Sequence, residues 1–164
     1  MAITTYTTPR TWAEDELVSS AIQNAHVRDN IKHLYEKTSI KFYTDTSSTP
    51  ETGNGANWAS SDCSVSVVVD YVSNITITAA CSLKNDAHSD VVPWARIYRD
   101  STGVGQTRGV LQQTDEWKDV SLTALDPDVA AGTYTYAIYH RSNGAGNSVI
   151  DDKAIVITVT PIHG

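Results

Sequence analysis

Basic residues are few in this chain: 12 lysines and arginines stand against 19 aspartates and glutamates, for a net charge of −7. A protein whose main work is gripping nucleic acid must neutralise phosphates with a basic patch, and none occurs, so no nucleic-acid partner is expected. The acidity itself reads as solubility. No apolar run approaches the length of a membrane span, so no membrane partner is expected either. The opening MAITTYTTPRTW lacks the charged start and apolar core of an export signal. The sequence therefore predicts a protein made in a cytoplasm that reaches the outside, if at all, by lysis.

Catalytic signatures are just as sparse. His26, His33, His88, His140 and His163 are scattered over helix, loop, strand and C-terminus. His26 and His33, one heptad apart, read as a solvated helix face in preference to a pH-sensitive or metal-binding ring. No serine sits in a G-x-S-x-G elbow, and Gly103-Val-Gly105 lies between strands where a phosphate loop would open a helix. Asp86, His88 and Asp90 alternate in one loop, and Asp126, Asp128, Asp151 and Asp152 lie in others. Without EF-hand spacing they read as turn formers. Cys63 and Cys81 have no second Cys/His pair at zinc-ligand spacing. No converging acid–base pair or nucleophile is found. The expectation is a protein without catalytic residue, cofactor or metal.

What the chain does have is one helix signal and a long series of strand signals. Residues 1–19 read as an extended, threonine-rich arm carrying Tyr6, Pro9 and Trp12. Ser20 followed by Gln23 fits a capping box, which starts the helix at about Ala21; it ends near Lys37. Leu17, Ser20, Asn24, Val27, Ile31 and Leu34 fall on heptad positions a and d, an apolar seam interrupted by Asn24. A buried Asn in such a seam sets register and oligomer state. The alternative is an amphipathic helix packed on its own domain, because fewer than three heptads is short for a coiled coil.

Beyond the helix, Ile40–Thr44 reads as a first strand, followed by a turn-rich loop, TDTSSTPETGNGANWASSD, in which Trp58 stands alone. Within residues 63–81 the odd positions Cys63, Val65, Val67, Val69, Ile75, Ile77, Ala79 and Cys81 are apolar, with serine, threonine and aspartate among those between. A hairpin with its tip at Tyr71-Val72-Ser73 would place this whole set on one face, with Cys63 opposite Cys81. A cytoplasmic origin favours two buried free thiols over a bridge. Further strands are expected at Val92–Arg99, Gln106–Gln113, Trp117–Leu125, Gly132–His140 and Lys153–Pro161, separated by aspartate- and glycine-rich turns. About eight strands with no intervening helix predict a mainly β, antiparallel sandwich. Trp94 and Trp117, near strand starts, are expected to be buried in the core or at a subunit interface, leaving Trp58 as the exposed aromatic candidate for ligand contact.

The segment P-R-T-W, an acidic pair with Leu-Val, then A-I-Q-N-A-H-V-R-D-N-I resembles one that opens many tailed-bacteriophage virion proteins: fibre, minor tail and head-surface proteins. The matching residues are Pro9, Arg10, Thr11, Trp12, Glu16, Asn24, His26, Arg28, Asp29 and Asn30. They span roughly residues 8–34, about a sixth of the chain, and depart from the usual pattern where Ser19 and Ser20 replace Thr-Ala. A second resemblance lies in Val92–Tyr98, Gly132-Thr-Tyr-Thr-Tyr-Ala-Ile-Tyr139 and Ala154-Ile-Val-Ile-Thr-Val159. These strands look like the jelly-roll heads related to complement C1q and tumour necrosis factor. That resemblance implies a homotrimer with Tyr134, Tyr136 and Tyr139 near a three-fold axis.

Together the two resemblances imply a non-enzymatic virion protein. Residues 1–38 would be an attachment and oligomerisation segment, and residues 39–164 a jelly-roll-like β-sandwich. Tyr6, Pro9, Trp12, Asn24, Val27, Ile31 and Leu34 would meet copies of the chain, the major capsid protein or other virion proteins. Capsid decoration is favoured over a fibre, because no shaft sequence separates helix from sandwich. The competing expectation is a tail or head module that binds a host-surface glycan through Trp58.

Overall fold

A computed structural model describes residue 21 and residues 27–85, 91–110, 115–144 and 146–162. The chain divides into two compact units, Met1–Ser39 with His163–Gly164, and Ile40–Ile162. In the first, a wider turn at Val27 and Arg28 leads into the helix α1 (Asp29–Thr38). Asp29 opens its first turn, where a carboxylate suits the positive end of the helix dipole. The expected capping box at Ser20 lies outside the described residues.

The second unit is built from nine strands: β1 (Lys41–Ser47), β2 (Glu51–Asn54), β3 (Ala59–Val69), β4 (Ser73–Asn85), β5 (Pro93–Arg99), β6 (Thr102–Gly109), β7 (Lys118–Val129), β8 (Gly132–Ser142) and β9 (Asn147–Pro161). One antiparallel sheet has the order β1-β9-β4-β7, with β2 also on β9; the other has the order β3-β8-β5-β6. β1 and β2 both pair with β9, opposite Lys153–Val159 and Asn147–Ile150, and so act as one interrupted strand. Counted that way, the two sheets run first-eighth-third-sixth and second-seventh-fourth-fifth along the chain. That is the double Greek-key order of a jelly roll, so the expected fold class is the one the chain adopts.

The alternating residues do what their period requires. Cys63, Val65, Val67 and Val69 from β3, and Ile75, Ile77, Ala79 and Cys81 from β4, are all buried in one core, joined by Ile97, Leu122, Ile138, Ile150, Ile155 and Ile157. The expected hairpin is nevertheless absent. β3 pairs with β8, β4 pairs with β7 and β9, and the short link at residues 70–72 carries the chain from one sheet to the other. The two apolar sets face each other across the sandwich, so Cys63 and Cys81 are not cross-strand neighbours. Both are free and buried. Burial pushes the Cys63 thiol up to about 11 and the Cys81 thiol up to about 12.

Three further expectations are corrected. The loop after the first strand contains β2, whose polar residues hold their place through backbone pairing with β9. β6 begins at Thr102, earlier than expected, because Asp100 and Ser101 alone make the turn from Arg99 to Thr102. Asp126-Pro127-Asp128 and Asp151-Asp152 are irregularities inside β7 and β9 instead of turns between strands. They stand where the pairing of β4 shifts register, between Ser73 and Ile75 and between Ala80 and Ser82.

The edges of the two sheets are joined along both sides. On one side three backbone N–H groups of β3 are taken by side chains of β1 and β2: Ser64 donates to Asp45 Oδ2 (2.8 Å), Asp62 to Glu51 Oε1 (2.8 Å) and Val68 to the Tyr43 hydroxyl (3.2 Å). The Tyr43 hydroxyl donates in turn to the Val68 carbonyl at 3.1 Å, and Lys41 pairs with Asp70. On the other side Gly105, at φ +69°, lets β6 approach β7 so closely that a Cβ there would lie 2.6 Å from that of Ala124.

Candidate functional site

The core is almost wholly aliphatic, and among the described residues Tyr136 is the only aromatic that is fully buried. The others are displaced to the surfaces, and one group collects on the outer face of the β3-β8-β5-β6 sheet. Because Ala95, Ile97, Ile138 and His140 point inward, their neighbours Trp94, Arg96 and Tyr98 on β5 and Tyr139 and Arg141 on β8 point outward. Register sets Trp94 beside Arg141, and Arg96 beside Tyr139.

Rings and guanidinium groups alternate across this face. Tyr98 stacks on Tyr139 with centroids 4.2 Å apart, and Trp58 tilts against Tyr98 at 5.7 Å. Arg141 lies over the Trp58 ring at 4.7 Å and Arg96 over the Tyr98 ring at 5.9 Å, both within cation–π range. Each guanidinium donates one bond to a carbonyl: Arg96 Nη2 to Gly103 at 3.0 Å, Arg141 Nη1 to Ala56 at 3.3 Å. The Nε of each is buried without a partner. Two glycines on β6 make room for the layer. A Cβ on Gly103 would lie 2.6 Å from the Arg96 guanidinium, and one on Gly109 would lie 2.5 Å from the Trp94 ring.

Trp58 is therefore half-buried beneath Arg141, where the sequence had placed it alone in a loop. Trp117 is not in the core: it is 40% exposed on the single chain, with Lys84 Nζ 5.1 Å from its ring centre. The three tyrosines expected at a common axis separate by face. Tyr139 points outward, whereas Tyr136 points into the core and donates from its hydroxyl to Asp126 Oδ2 at 2.8 Å. Arg99 donates to the same oxygen at 2.9 Å. Tyr134 packs against the core under Arg99 and donates to the Ala130 carbonyl at 3.2 Å. Tyr136 is thus fully buried within its own domain.

Other titratable groups serve the fold. Lys153 is fully buried, with its Nζ 3.0 Å from Asp62 Oδ1 and 3.7 Å from Glu51 Oε1, and donating to the Thr49 carbonyl at 2.5 Å. Burial raises the Glu51 carboxyl, while the Ser47 hydroxyl holds that of Asp62 below the usual range. An open depression of about 310 Å³ lies beside this cluster, lined by Thr46, Ser47, Ser48, Asp152 and Lys153. Among the described residues no group of three or more His, Cys, Asp or Glu side chains is placed to hold a metal ion.

On α1 and the turn before it, Val27, Ile31 and Leu34 follow one another at i, i+4 and i+7 on one face and are 51%, 62% and 56% exposed. Tyr6, Pro9, Trp12 and Asn24 lie outside the described residues, as do Asp86, His88 and Asp90.

No protein-family model matches the sequence, and no curated protein does. Among solved structures the chain is similar to VP2 of the infectious bursal disease virus subviral particle, at 12% identity and a TM-score of 0.43 over 76% of this chain. It spans 37% of that capsid chain's length. It is also similar to the C-terminal domain of EclA, a sugar-binding protein, at 13% identity and a TM-score of 0.35, covering 72% of this chain and 77% of that one. A third similarity is to the C-terminal CBM6 of LamC from Zobellia galactanivorans, at 20% identity and a TM-score of 0.34, covering 74% and 99%. The jelly-roll assignment itself rests on strand order.

Proposed function

We propose that this is a non-catalytic structural protein of a tailed-bacteriophage virion, a capsid-surface decoration protein that assembles as a homotrimer. Residues 1–38 seat it on the particle and residues 39–164 form the displayed jelly roll. The observation that carries this reading is the apolar stripe Val27, Ile31 and Leu34, exposed on successive turns of a short helix. Fully burying each such side chain is worth about 1.5–3 kcal/mol, enough in three copies to hold helices together. Asn24 would fix their register, and Tyr6, Pro9 and Trp12 would meet the major capsid protein. Tyr134 and Tyr139 are left as candidates for the jelly-roll contact between copies.

Two measurements test the proposal. Sedimentation of the full chain should give a trimer, and Ile31→Asp with Leu34→Asp should give a monomer whose sandwich melts unchanged. Antibody-gold on particles should label heads. Gold confined to tails would replace decoration with host attachment, and particles without gold would remove the virion assignment.

A second reading, recognition of a host-surface glycan, is favoured by the layer of Trp58, Tyr98 and Tyr139 on the outer sheet face. Aromatic rings on an open face suit the apolar faces of sugar rings.

A further inference from the structure

We infer that the outer face of the β3-β8-β5-β6 sheet binds an acidic saccharide, one whose rings carry carboxylates, through Arg96 and Arg141. The inference rests on the glycan reading and narrows it to a chemical class.

Charge distribution is the first argument. The protein is strongly acidic, and five of its cations, Lys41, Lys84, Arg99, Lys118 and Lys153, are matched by carboxylates in the sandwich. Arg96 and Arg141 have no acidic partner among the described residues. The outward positions around them on the three strands are not acidic: Ser64, Ser66 and Val68 on β3, Trp94 and Tyr98 on β5, and Thr133, Thr135, Ala137 and Tyr139 on β8. Asp62, which precedes them on β3, is turned away to Lys153 and Ser47. The carboxylates at the margin of this face are engaged by backbone N–H groups, Asp100 by Thr135 at 2.9 Å and Asp45 by Ser64 at 2.8 Å. A local excess of positive charge thus stands on a molecule of net charge −7.

Geometry is the second. Each guanidinium lies over a ring and has one donor fixed on a carbonyl, which leaves its other Nη donors for a ligand. Two guanidiniums on one face with Nη donors to spare mark a place where an acceptor belongs. A planar fork of N–H groups matches a carboxylate in bidentate fashion. The third argument favours a sugar over an acidic peptide. The same face offers ring edges from Trp58, Trp94 and Tyr139, and beside them the hydroxyls of Ser64, Ser66, Thr133 and Thr135. That mixture suits a polyhydroxylated chain laid across a sheet. A peptide would gain most from a free strand edge, and β3 already has the N–H groups of Asp62, Ser64 and Val68 taken by β1 and β2.

The test is calorimetric titration of the full chain with oligomers of galacturonate, mannuronate and α2,8-linked sialic acid, each against its methyl ester, and with polyglutamate. At least one free acid should bind ten-fold or more tighter than its ester, and weaken as salt is raised. Arg96→Gln and Arg141→Gln should each reduce that affinity five-fold or more without changing Tm, while Lys118→Gln on the other sheet should not. Gly103→Ala, which crowds Arg96, should mimic Arg96→Gln. Equal binding of acid and ester would overturn the acidic class and leave the glycan reading in place. Polyglutamate binding as tightly as the sugars would overturn the saccharide. Failure of every oligomer would overturn both, without touching the particle assignment that gold labelling reads.

Discussion

His140 sits with its ring inside the sandwich, 1% exposed, with Nδ1 3.0 Å from the Ser148 hydroxyl. Burial first, and the buried charge of Lys153 second, lower its pKa from 6.5 to about 4. In the unfolded chain the imidazole takes up its proton near pH 6.5, so the unfolded state binds more protons through the interval down to pH 4. Stability must therefore fall as pH falls through that window, by up to about 3 kcal/mol from this residue. Urea titrations at pH 7 and pH 4.5 should show the loss, and His140→Gln should show a smaller one. Aspartate has its own local role. Every non-glycine residue with positive φ among those described is an aspartate: Asp100, Asp115, Asp128 and Asp152. A β-branched residue resists that conformation by about 1–2 kcal/mol, whereas glycine adopts it freely. Asp152→Gly should leave the melting temperature nearly unchanged and Asp152→Val should lower it by several degrees. Sequence reading recognised Asp128 and Asp152 as turn chemistry. It could not tell a turn between strands from a bulge within one, because both need the same left-handed residue.

At the scale of the element, the alternation in β3 and β4 placed its eight apolar residues inward correctly, missed Ser61, Ser73, Leu83 and Asn85 at the strand ends, and gave the partner strands wrongly. A period of two says which residues share the interior, but a strand beside its neighbour and a strand across the core satisfy it equally. The distinction lies in the connection. Residues 70–72 cross between sheets, and the Val72 carbonyl is taken by the N–H of Ile162. β2 was illegible for a different reason, since it has only four residues, polar or glycine, and owes its place to β9. The outer-face layer of rings and arginines was half legible. Trp58 and Tyr139 could be singled out one at a time, but Arg96 and Arg141 acquire meaning only when β5 and β8 lie side by side. The signal that was present is the glycine spacing of β6, which reads as turn or loop until its partner is known. Replacing Gly109 by valine should displace Trp94 and destabilise the domain by about 1–3 kcal/mol, measurable as a lower urea midpoint with a changed tryptophan emission.

For the whole molecule, the buried Lys153 makes the joined side of the sandwich asymmetric in its response to mutation. Its partners Glu51 and Asp62 both reach water, so Lys153→Met leaves two carboxylates that water can solvate and should cost less than about 1 kcal/mol. Removing both acids, Glu51→Ala with Asp62→Ala, leaves a charged amine inside the sandwich and should cost about 3–5 kcal/mol. Equal losses in the two variants would show that the amine is neutral or reaches solvent. The fold class and the aliphatic core were readable because burial writes itself into composition and period. The joining of the sheets was not, because it depends on single side chains of β1 reaching a strand distant in sequence.

That joining has a consequence for crowding. A β-sandwich with loose margins is a template, and molecules held shoulder to shoulder are where templating begins. Here three of the N–H groups that would welcome a stranger's backbone are already occupied by Asp45, Glu51 and Tyr43 along one margin, and Gly105 draws β6 against β7 along the other. Neighbours meet mainly side-chain surfaces there, so packing at high density can be dense without becoming fibrous.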